Sequence, residues 1–139
     1  IVKDVAHDLQ KGRCYIPEMM LAEEGLMPRD LLDQANLPRF RPVLSKLVRM
    51  ATEHLDQGWM YTMAIPRHEM RLRLSCMWPI LSAGESLKLV LHSPDLLNPA
   101  VKVKIPRSKV YQILALTTGT FACGHVGTAY WGRLRKQLL

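Results

Sequence analysis

Paired cysteines and long apolar runs are missing from this sequence of 139 residues. Its three cysteines, Cys14, Cys76 and Cys123, stand far apart and form no CxxC pair. That spacing suits neither a zinc site nor an even-numbered disulfide framework, so we expect free thiols in a reducing, cytoplasmic compartment. No uncharged apolar run reaches about eighteen residues, the length that indicates a membrane-spanning helix. The sequence therefore predicts no membrane span.

Acidic residues are missing from the last third of the chain. Up to Asp95 there are twelve basic and twelve acidic residues, so the net charge of +7 comes entirely from the part that follows. Its basic residues are Lys102, Lys104, Arg107, Lys109, Arg133, Arg135 and Lys136. Such an excess favours an anionic partner or a solvated basic face. We expect no nucleic-acid partner, because neither a recognition helix nor an aromatic stacking platform is evident, and we keep a peripheral membrane contact as a hypothesis.

What the sequence does contain is the composition and periodicity of a folded helical protein. Hydrophobic residues make up 48% and charged residues 22% of the chain, which argues against disorder. Apolar residues recur at helical spacing over two long segments. Helices are predicted over residues 1–11, 18–24, 41–63, 67–92, 108–123 and 126–138, with a short helical turn after Pro28 and a loop over 93–106. The predicted fold class is all-α, with no domain boundary.

The sharpest local pattern is the pair Asp4 and Asp8 in the sequence DVAHD. Two carboxylates four residues apart lie on the same face of a helix and repel each other unless a positive charge lies between them. Magnesium prefers such hard oxygen ligands and fills its remaining positions with phosphate oxygens and water. The pattern therefore suits a magnesium–diphosphate site, with Lys3 and Arg13 placed to bind further phosphate oxygens. A pair of solvated surface aspartates is the alternative.

The run IVKDVAHDLQKGRCYIP resembles the second aspartate-rich segment of the squalene/phytoene synthase family. The features that match in order and spacing are Lys3, Asp4, Asp8, Gly12, Arg13, Tyr15 and Pro17. The resemblance implies a helical bundle of the isoprenoid-synthase type. It places residues 1–139 in the C-terminal half of a single prenyltransferase domain, with Asp4 and Asp8 as catalytic magnesium ligands.

A second segment, RLSCMWPILSAGESLKLV, resembles the squalene synthase helix in which a proline follows an aromatic–cysteine pair. Cys76 and Pro79 keep that spacing, while Ser75 replaces the aromatic residue. By this resemblance, Ser75, Cys76 and Pro79 would line the cavity for the prenyl substrate. The match favours the squalene synthase branch.

A third segment, LLNPAVKVKIPRSKVYQIL, resembles the family's basic stretch that contributes to the reductant or diphosphate site. Lys102 and Lys104 take the basic positions, and Arg107 lies nearby. The resemblance implies that these three residues bind either NADPH, the expected cofactor besides magnesium, or the diphosphate.

The chemistry implied by the family is a head-to-head condensation. Two farnesyl diphosphates would give presqualene diphosphate, and NADPH would then convert it to squalene. Magnesium would neutralise the charge on the leaving diphosphate, and an apolar cavity would shield the carbocation. A synthase of the same family that needs no reductant, making phytoene, dehydrosqualene or hydroxysqualene, is the alternative.

The family's first aspartate-rich motif has no counterpart in these residues. We therefore expect the chain by itself to be incomplete and inactive, and its partner to be the missing N-terminal half of the enzyme. The remaining alternatives are a non-catalytic interaction subunit and a basic binding module.

Overall fold

The computed structural model describes residues 2–120 and 125–139, and these residues contain helices and no β-strand. The α-helices are α1 (Val5–Gln10), α2 (Glu18–Ala22), α3 (Leu37–Ala64), α4 (Met70–His92), α5 (Arg107–Gly119) and α6 (Val126–Leu138). Short 3-10 helices cover Val2–Asp4, Pro28–Leu32 and Gln34–Asn36. The all-α prediction is confirmed. Cys123 and Gly124, where we expected a helix to end and turn, lie outside the described residues.

Helix α3 begins at Leu37, four residues before the predicted start at Arg41. Pro38 is tolerated because the first backbone N–H groups of a helix have no intrahelical acceptor. Pro42 lies inside the helix and removes one hydrogen bond of the next turn. Its neighbours Phe40 and Val43 are both 0% exposed, so burial of this face offsets the lost bond.

The chain forms two compact units, and α3 and α4 contribute residues to both. The first unit comprises Ile1–Val48 and Leu89–Lys104, and the second comprises Arg49–Lys88 and Ile105–Leu139. That the whole chain belongs to one prenyltransferase domain stays a prediction.

The first unit is built from short helices around a core of leucine and valine side chains. Helix α1 packs against the 3-10 helix Pro28–Leu32, with Val5, Ala6 and Leu31 buried. Gly12 adopts a positive φ of 71°, which lets the chain reverse after α1 without a side-chain clash. The amide of Arg13 then donates to the carbonyl of Asp8 at 2.9 Å, and that of Gly12 to Leu9 at 2.9 Å. These two bonds form a Schellman motif that fixes the end of α1.

Arg41 ties the segment that follows α4 into the first unit. Its guanidinium donates to the carbonyl of Leu91 and, at 2.7 Å, to that of Ser93. These carbonyls lie at the C-terminal end of α4, where acceptors lack intrahelical donors. Leu96 and Leu97 are buried next along the chain. The start of the segment 93–104 is therefore anchored on both polar and apolar contacts.

The second unit packs longer helices closely. Trp59 of α3 stacks on Trp131 of α6, with ring centroids 5.9 Å apart. The Trp131 indole N–H donates to Asp56 at 2.9 Å, so its polar atom is satisfied although the residue is 3% exposed. At Gly84, an added Cβ would lie 2.6 Å from Leu134 Cδ2 and 3.0 Å from the Trp131 ring. Glycine at position 84 thus permits α6 to approach α4.

In the described part of the chain, no helix combines the length and apolar character that crossing a membrane requires.

Candidate functional site

The first unit contains an open cleft of about 330 Å³ between the start of the chain and the segment that follows α4. Its lining residues are Lys3, Asp4, Ala6, His7, Asp8, Leu96, Pro99, Val101, Lys102 and Lys104. Both predicted carboxylates and three predicted basic residues are therefore in one place. All of the lining comes from the first unit.

Helix α1 supplies the acidic wall of the cleft. Asp4 is the last residue of the 3-10 helix and directly precedes α1, and Asp8 follows one turn later. Val5 and Ala6, each 5% exposed, anchor the helix in the core. Because a helix separates adjacent residues by about 100°, burial of positions 5 and 6 leaves positions 4 and 8 at the accessible edge. Both aspartates are partly exposed.

The segment 101–106 supplies the basic wall. It has no helical hydrogen bonding, and Lys102 and Lys104 are exposed while Val103 between them is partly buried. Both lysines line the cleft. The resemblance gave these lysines to the reductant or diphosphate site; the structure has both line the cleft of the aspartates, and their binding role stays a prediction.

Positive charge slightly exceeds negative charge in this cleft. Three lysines face two aspartates, and Lys3 Nζ lies 3.4 Å from Asp4 Oδ2. Both partners of this ion pair are more than two-fifths exposed, so water screens the pair and it contributes little to stability. The ion pair leaves both aspartates accessible to a ligand in the cleft.

The donor set fits magnesium that is shared with a phosphorylated ligand. Within residues 2–120 and 125–139, no group of three or more His, Cys, Asp and Glu side chains could hold a metal ion by itself. Magnesium, however, commonly takes only one or two carboxylates and completes its octahedron with phosphate oxygens and water. Asp4 and Asp8 offer those two carboxylates, and the neighbouring lysines suit phosphate oxygens.

Two predicted site residues lie away from this lining. Arg13 is exposed and does not line the cleft, although its backbone amide is bonded to the carbonyl of Asp8. Arg107, predicted to act with Lys102 and Lys104, is the first residue of α5 and belongs to the second unit. Their predicted binding roles stay predictions.

The predicted substrate-cavity residues Ser75, Cys76 and Pro79 lie on α4 in the second unit. Ser75 and Pro79 are exposed and Cys76 is partly exposed, and the Ser75 hydroxyl donates to the carbonyl of Leu72 at 2.8 Å. Pro79 lies four residues after Ser75 and three after Cys76, so it neighbours both on the surface of α4. Their role in lining a prenyl cavity also stays a prediction.

His7 is a polar lining residue that the sequence did not single out. It is exposed on the cleft between the two aspartates. Its position four residues after Lys3 places both on one helical face, and that spacing was the available signal. A neutral imidazole offers one donor and one acceptor, so His7 is suited to bind a phosphate oxygen or a water molecule.

The helical fold, with paired carboxylates and lysines in one cleft, places this chain among helical proteins that have a candidate metal–diphosphate site. The chain belongs to the squalene/phytoene synthase family, whose family model matches residues 1–109. Residues 110–139, which include all of α6 and most of α5, follow the matched part.

Two curated relatives are phytoene synthases by name. The chain is 42% identical over 53 residues to 15-cis-phytoene synthase of Enterobacter agglomerans, which is 38% of this chain and 17% of that protein. It is 34% identical over 58 residues to the bifunctional lycopene cyclase/phytoene synthase of Colletotrichum graminicola, which is 42% of this chain and 10% of that protein. The similarity thus spans less than a fifth of each relative's length. No solved structure matches the chain.

Proposed function

We propose that this chain contributes the second aspartate-rich wall of an enzyme that joins two prenyl diphosphates head to head. The observation that carries the proposal is the single cleft that holds Asp4 and Asp8 opposite Lys102 and Lys104. Membership in the squalene/phytoene synthase family supports the reaction type. The substrate would be farnesyl diphosphate or a longer prenyl diphosphate.

Each cleft residue has a defined task in this reaction. Asp4 and Asp8 would hold magnesium, which when bound supplies positive charge at the leaving diphosphate. Lys102 and Lys104 bind non-bridging phosphate oxygens by charge-assisted hydrogen bonds. Lys3 pairs with Asp4 and would partly offset the repulsion between Asp4 and Asp8 before substrate arrives. All of these groups act on the diphosphate, so the prenyl chain must be bound by apolar surface elsewhere.

The names of the relatives favour the branch that needs no reductant. Both include a phytoene synthase, and Ser75 departs from the aromatic residue of the squalene synthase helix. Lys102 and Lys104 also lie in the cleft of the aspartates, where a diphosphate accounts for them without NADPH. We therefore propose a phytoene-type product, and the NADPH-dependent squalene branch stays a prediction.

The decisive variant is Asp8→Ala in the full-length protein. Product formation should fall by at least about 100-fold, the scale of removing one group that stabilises charge in a transition state. Circular dichroism should be unchanged, because Asp8 is partly exposed and its backbone carbonyl remains. Glu18→Ala is the matched control, since Glu18 is an exposed carboxylate in the same unit outside the cleft.

An Asp8→Ala protein with normal magnesium-dependent turnover would remove Asp8 from the site and with it the proposal. Product analysis with and without NADPH tests the branch separately. A hydrocarbon product formed at the same rate in both reactions supports the phytoene type, and squalene that forms only with NADPH refutes it.

A further inference from the structure

A second charged cleft, of about 320 Å³, lies in the second unit among α4, α5 and α6. It is lined by Glu85, Lys88, Lys109, Gln112, Tyr130, Arg133, Leu134 and Gln137. None of these residues belongs to the aspartate cleft. Five of them follow the part of the chain that the family model matches: Gln112, Tyr130, Arg133, Leu134 and Gln137.

Each of the three helices presents one face to this cleft. The lining residues are three apart on α4 and on α5, and three and four apart along α6. Such spacings place side chains above one another on a helix. Leu134, 3% exposed, packs against Gly84 of α4. The close approach that glycine permits therefore brings the polar side chains of α6 next to Glu85 and Lys88.

The only carboxylate that lines this cleft is already engaged. Glu85 Oε1 accepts a hydrogen bond from the Tyr130 hydroxyl at 2.5 Å and lies 3.9 Å from Lys109 Nζ. The Glu85 side chain is 12% exposed, so it has little surface left for solvent. Burial and the bond to Glu85 raise the pKa of Tyr130, and the hydroxyl accordingly stays protonated at neutral pH.

Three cationic side chains therefore line the cleft beside one carboxylate that is already hydrogen-bonded. Lys88, Lys109 and Arg133 give the cleft an excess of two positive charges over Glu85. The side-chain amides of Gln112 and Gln137 add hydrogen-bond donors that do not depend on pH. A concave site with converging cations concentrates the positive potential. Its volume falls at the lower end of the range of small-molecule sites, about 300–1,000 Å³.

We propose that this second cleft binds a phosphate or diphosphate group without a metal ion. Lys109 and Arg133 contact the phosphate oxygens, and Arg133 has the planar donor arrangement that suits them. Glu85 acts as a positioning residue, because it pairs with Lys109 at the edge of the cleft, and the Tyr130 hydroxyl donates a hydrogen bond to Glu85. The phosphate is carried either by a soluble ester or by an anionic lipid headgroup.

The test measures binding of two probes to the full chain at low ionic strength with EDTA present. Inorganic pyrophosphate is titrated by calorimetry, and vesicles of phosphatidylglycerol are compared with vesicles of phosphatidylcholine by co-sedimentation. The protein carries Lys102→Ala and Lys104→Ala throughout, so that the aspartate cleft does not contribute. Failure of this test leaves the proposed function intact, because that function rests on Asp4 and Asp8.

Lys109→Gln combined with Arg133→Gln should weaken binding at least about 10-fold, since two charge-assisted hydrogen bonds to the phosphate would be lost. Lys136→Gln is the matched control, because Lys136 is an exposed cation on α6 outside the cleft. It should change binding less than about twofold. Circular dichroism and thermal unfolding verify that both variants are folded.

Binding of pyrophosphate identifies a soluble ligand class, and binding to phosphatidylglycerol vesicles alone identifies a lipid headgroup. The proposal is overturned if neither probe binds, or if Lys136→Gln weakens binding as much as the double substitution does. An equal loss of affinity in both variants would mean that the net positive charge of α6 attracts the anion and that the cleft is not a specific binding site. Restoring the charges with Lys109→Arg and Arg133→Lys gives a second check, and this variant should keep most of the affinity.

Discussion

The two units of this chain carry very different charge. The first has nine basic and eight acidic residues, and the second has ten basic and four acidic residues. In the first unit, carboxylates and lysines meet in one cleft, which suits a cation and an anion bound together. In the second, the cleft is basic and its carboxylate is engaged, which suits an anion alone. Equal cleft size therefore does not imply equal ligand chemistry.

The units also differ in what holds them together. The first unit is fixed by hydrogen bonds to backbone carbonyls, namely the Schellman motif at Gly12 and the Arg41 side-chain bonds to Leu91 and Ser93. The second unit depends on tight packing at Gly84 and on the Trp59–Trp131 stack. Substitutions should therefore affect ligand binding most in the first unit and stability most in the second.

The largest effect on ligand binding in this comparison of the two units is expected when both lysines of the aspartate cleft are removed. In the full-length protein, Lys102→Ala with Lys104→Ala should raise KM for the prenyl diphosphate by about 100-fold, since each charge-assisted bond contributes about 1.5–3 kcal/mol. Steady-state kinetics measures the change. Lys11→Ala is the control, because Lys11 is an exposed cation near the end of α1 that does not line the cleft. A similar effect of Lys11→Ala would show that net charge alone governs binding.

A smaller effect is expected in the packing of the second unit. Gly84→Ala places a methyl group against Leu134 and Trp131 and should lower the free energy of unfolding by about 1–2 kcal/mol, as overpacking does. Gly132→Ala is the matched control, because it lies in α6 with nothing within 4 Å of an added Cβ. It should stabilise the protein by about 0.5–1 kcal/mol through helix propensity. Urea unfolding measures both, and equal changes would contradict close packing at Gly84.

Sequence reasoning predicted the helices well wherever a strong local signal ends them. The predicted helix over 126–138 coincides with α6, and Gly12 ends the first helical segment as expected. It was less accurate at the start of α3, because the rule that proline begins or breaks a helix does not predict a helix that contains both Pro38 and Pro42. Burial of Phe40 and Val43 decided this, and burial depends on tertiary packing.

The candidate site was predicted residue by residue but not as a single cleft. Asp4 and Asp8 follow from a local spacing, whereas their proximity to Lys102 and Lys104 depends on the path of the chain over the roughly ninety intervening residues. The excess of positive charge after Asp95 was visible in the sequence. The sequence did not show that Glu85 and Lys88 would line the same cleft as those basic residues. That arrangement depends on how closely α6 approaches Gly84.

The smallest expected effect is on stability when Tyr130 is substituted. Its pH dependence would show whether Glu85 is held by its hydrogen bond to Tyr130 in the second cleft. Burial, the hydrogen bond to Glu85 and the charge of Glu85 raise the pKa of Tyr130 above its ordinary value, which is about 10 for tyrosine. The folded state therefore holds this proton more tightly than the unfolded state does. The stabilisation is complete below pH of about 10 and declines as the pH rises further, because the unfolded state ionises first.

Tyr130→Phe should accordingly lower the free energy of unfolding by about 0.5–1.5 kcal/mol at pH 8, the usual net contribution of one hydrogen bond. The difference from the unsubstituted protein should shrink between pH 10 and pH 11. Urea unfolding at several pH values measures the difference, and phenolate absorbance follows the ionisation directly. Tyr111→Phe, at an exposed position of α5, should change stability at pH 8 by less than about 0.5 kcal/mol. A Tyr130→Phe difference that stays constant up to pH 11 would mean that Glu85 does not hold the Tyr130 proton, and Glu85 would then be available to oppose an anion in the cleft.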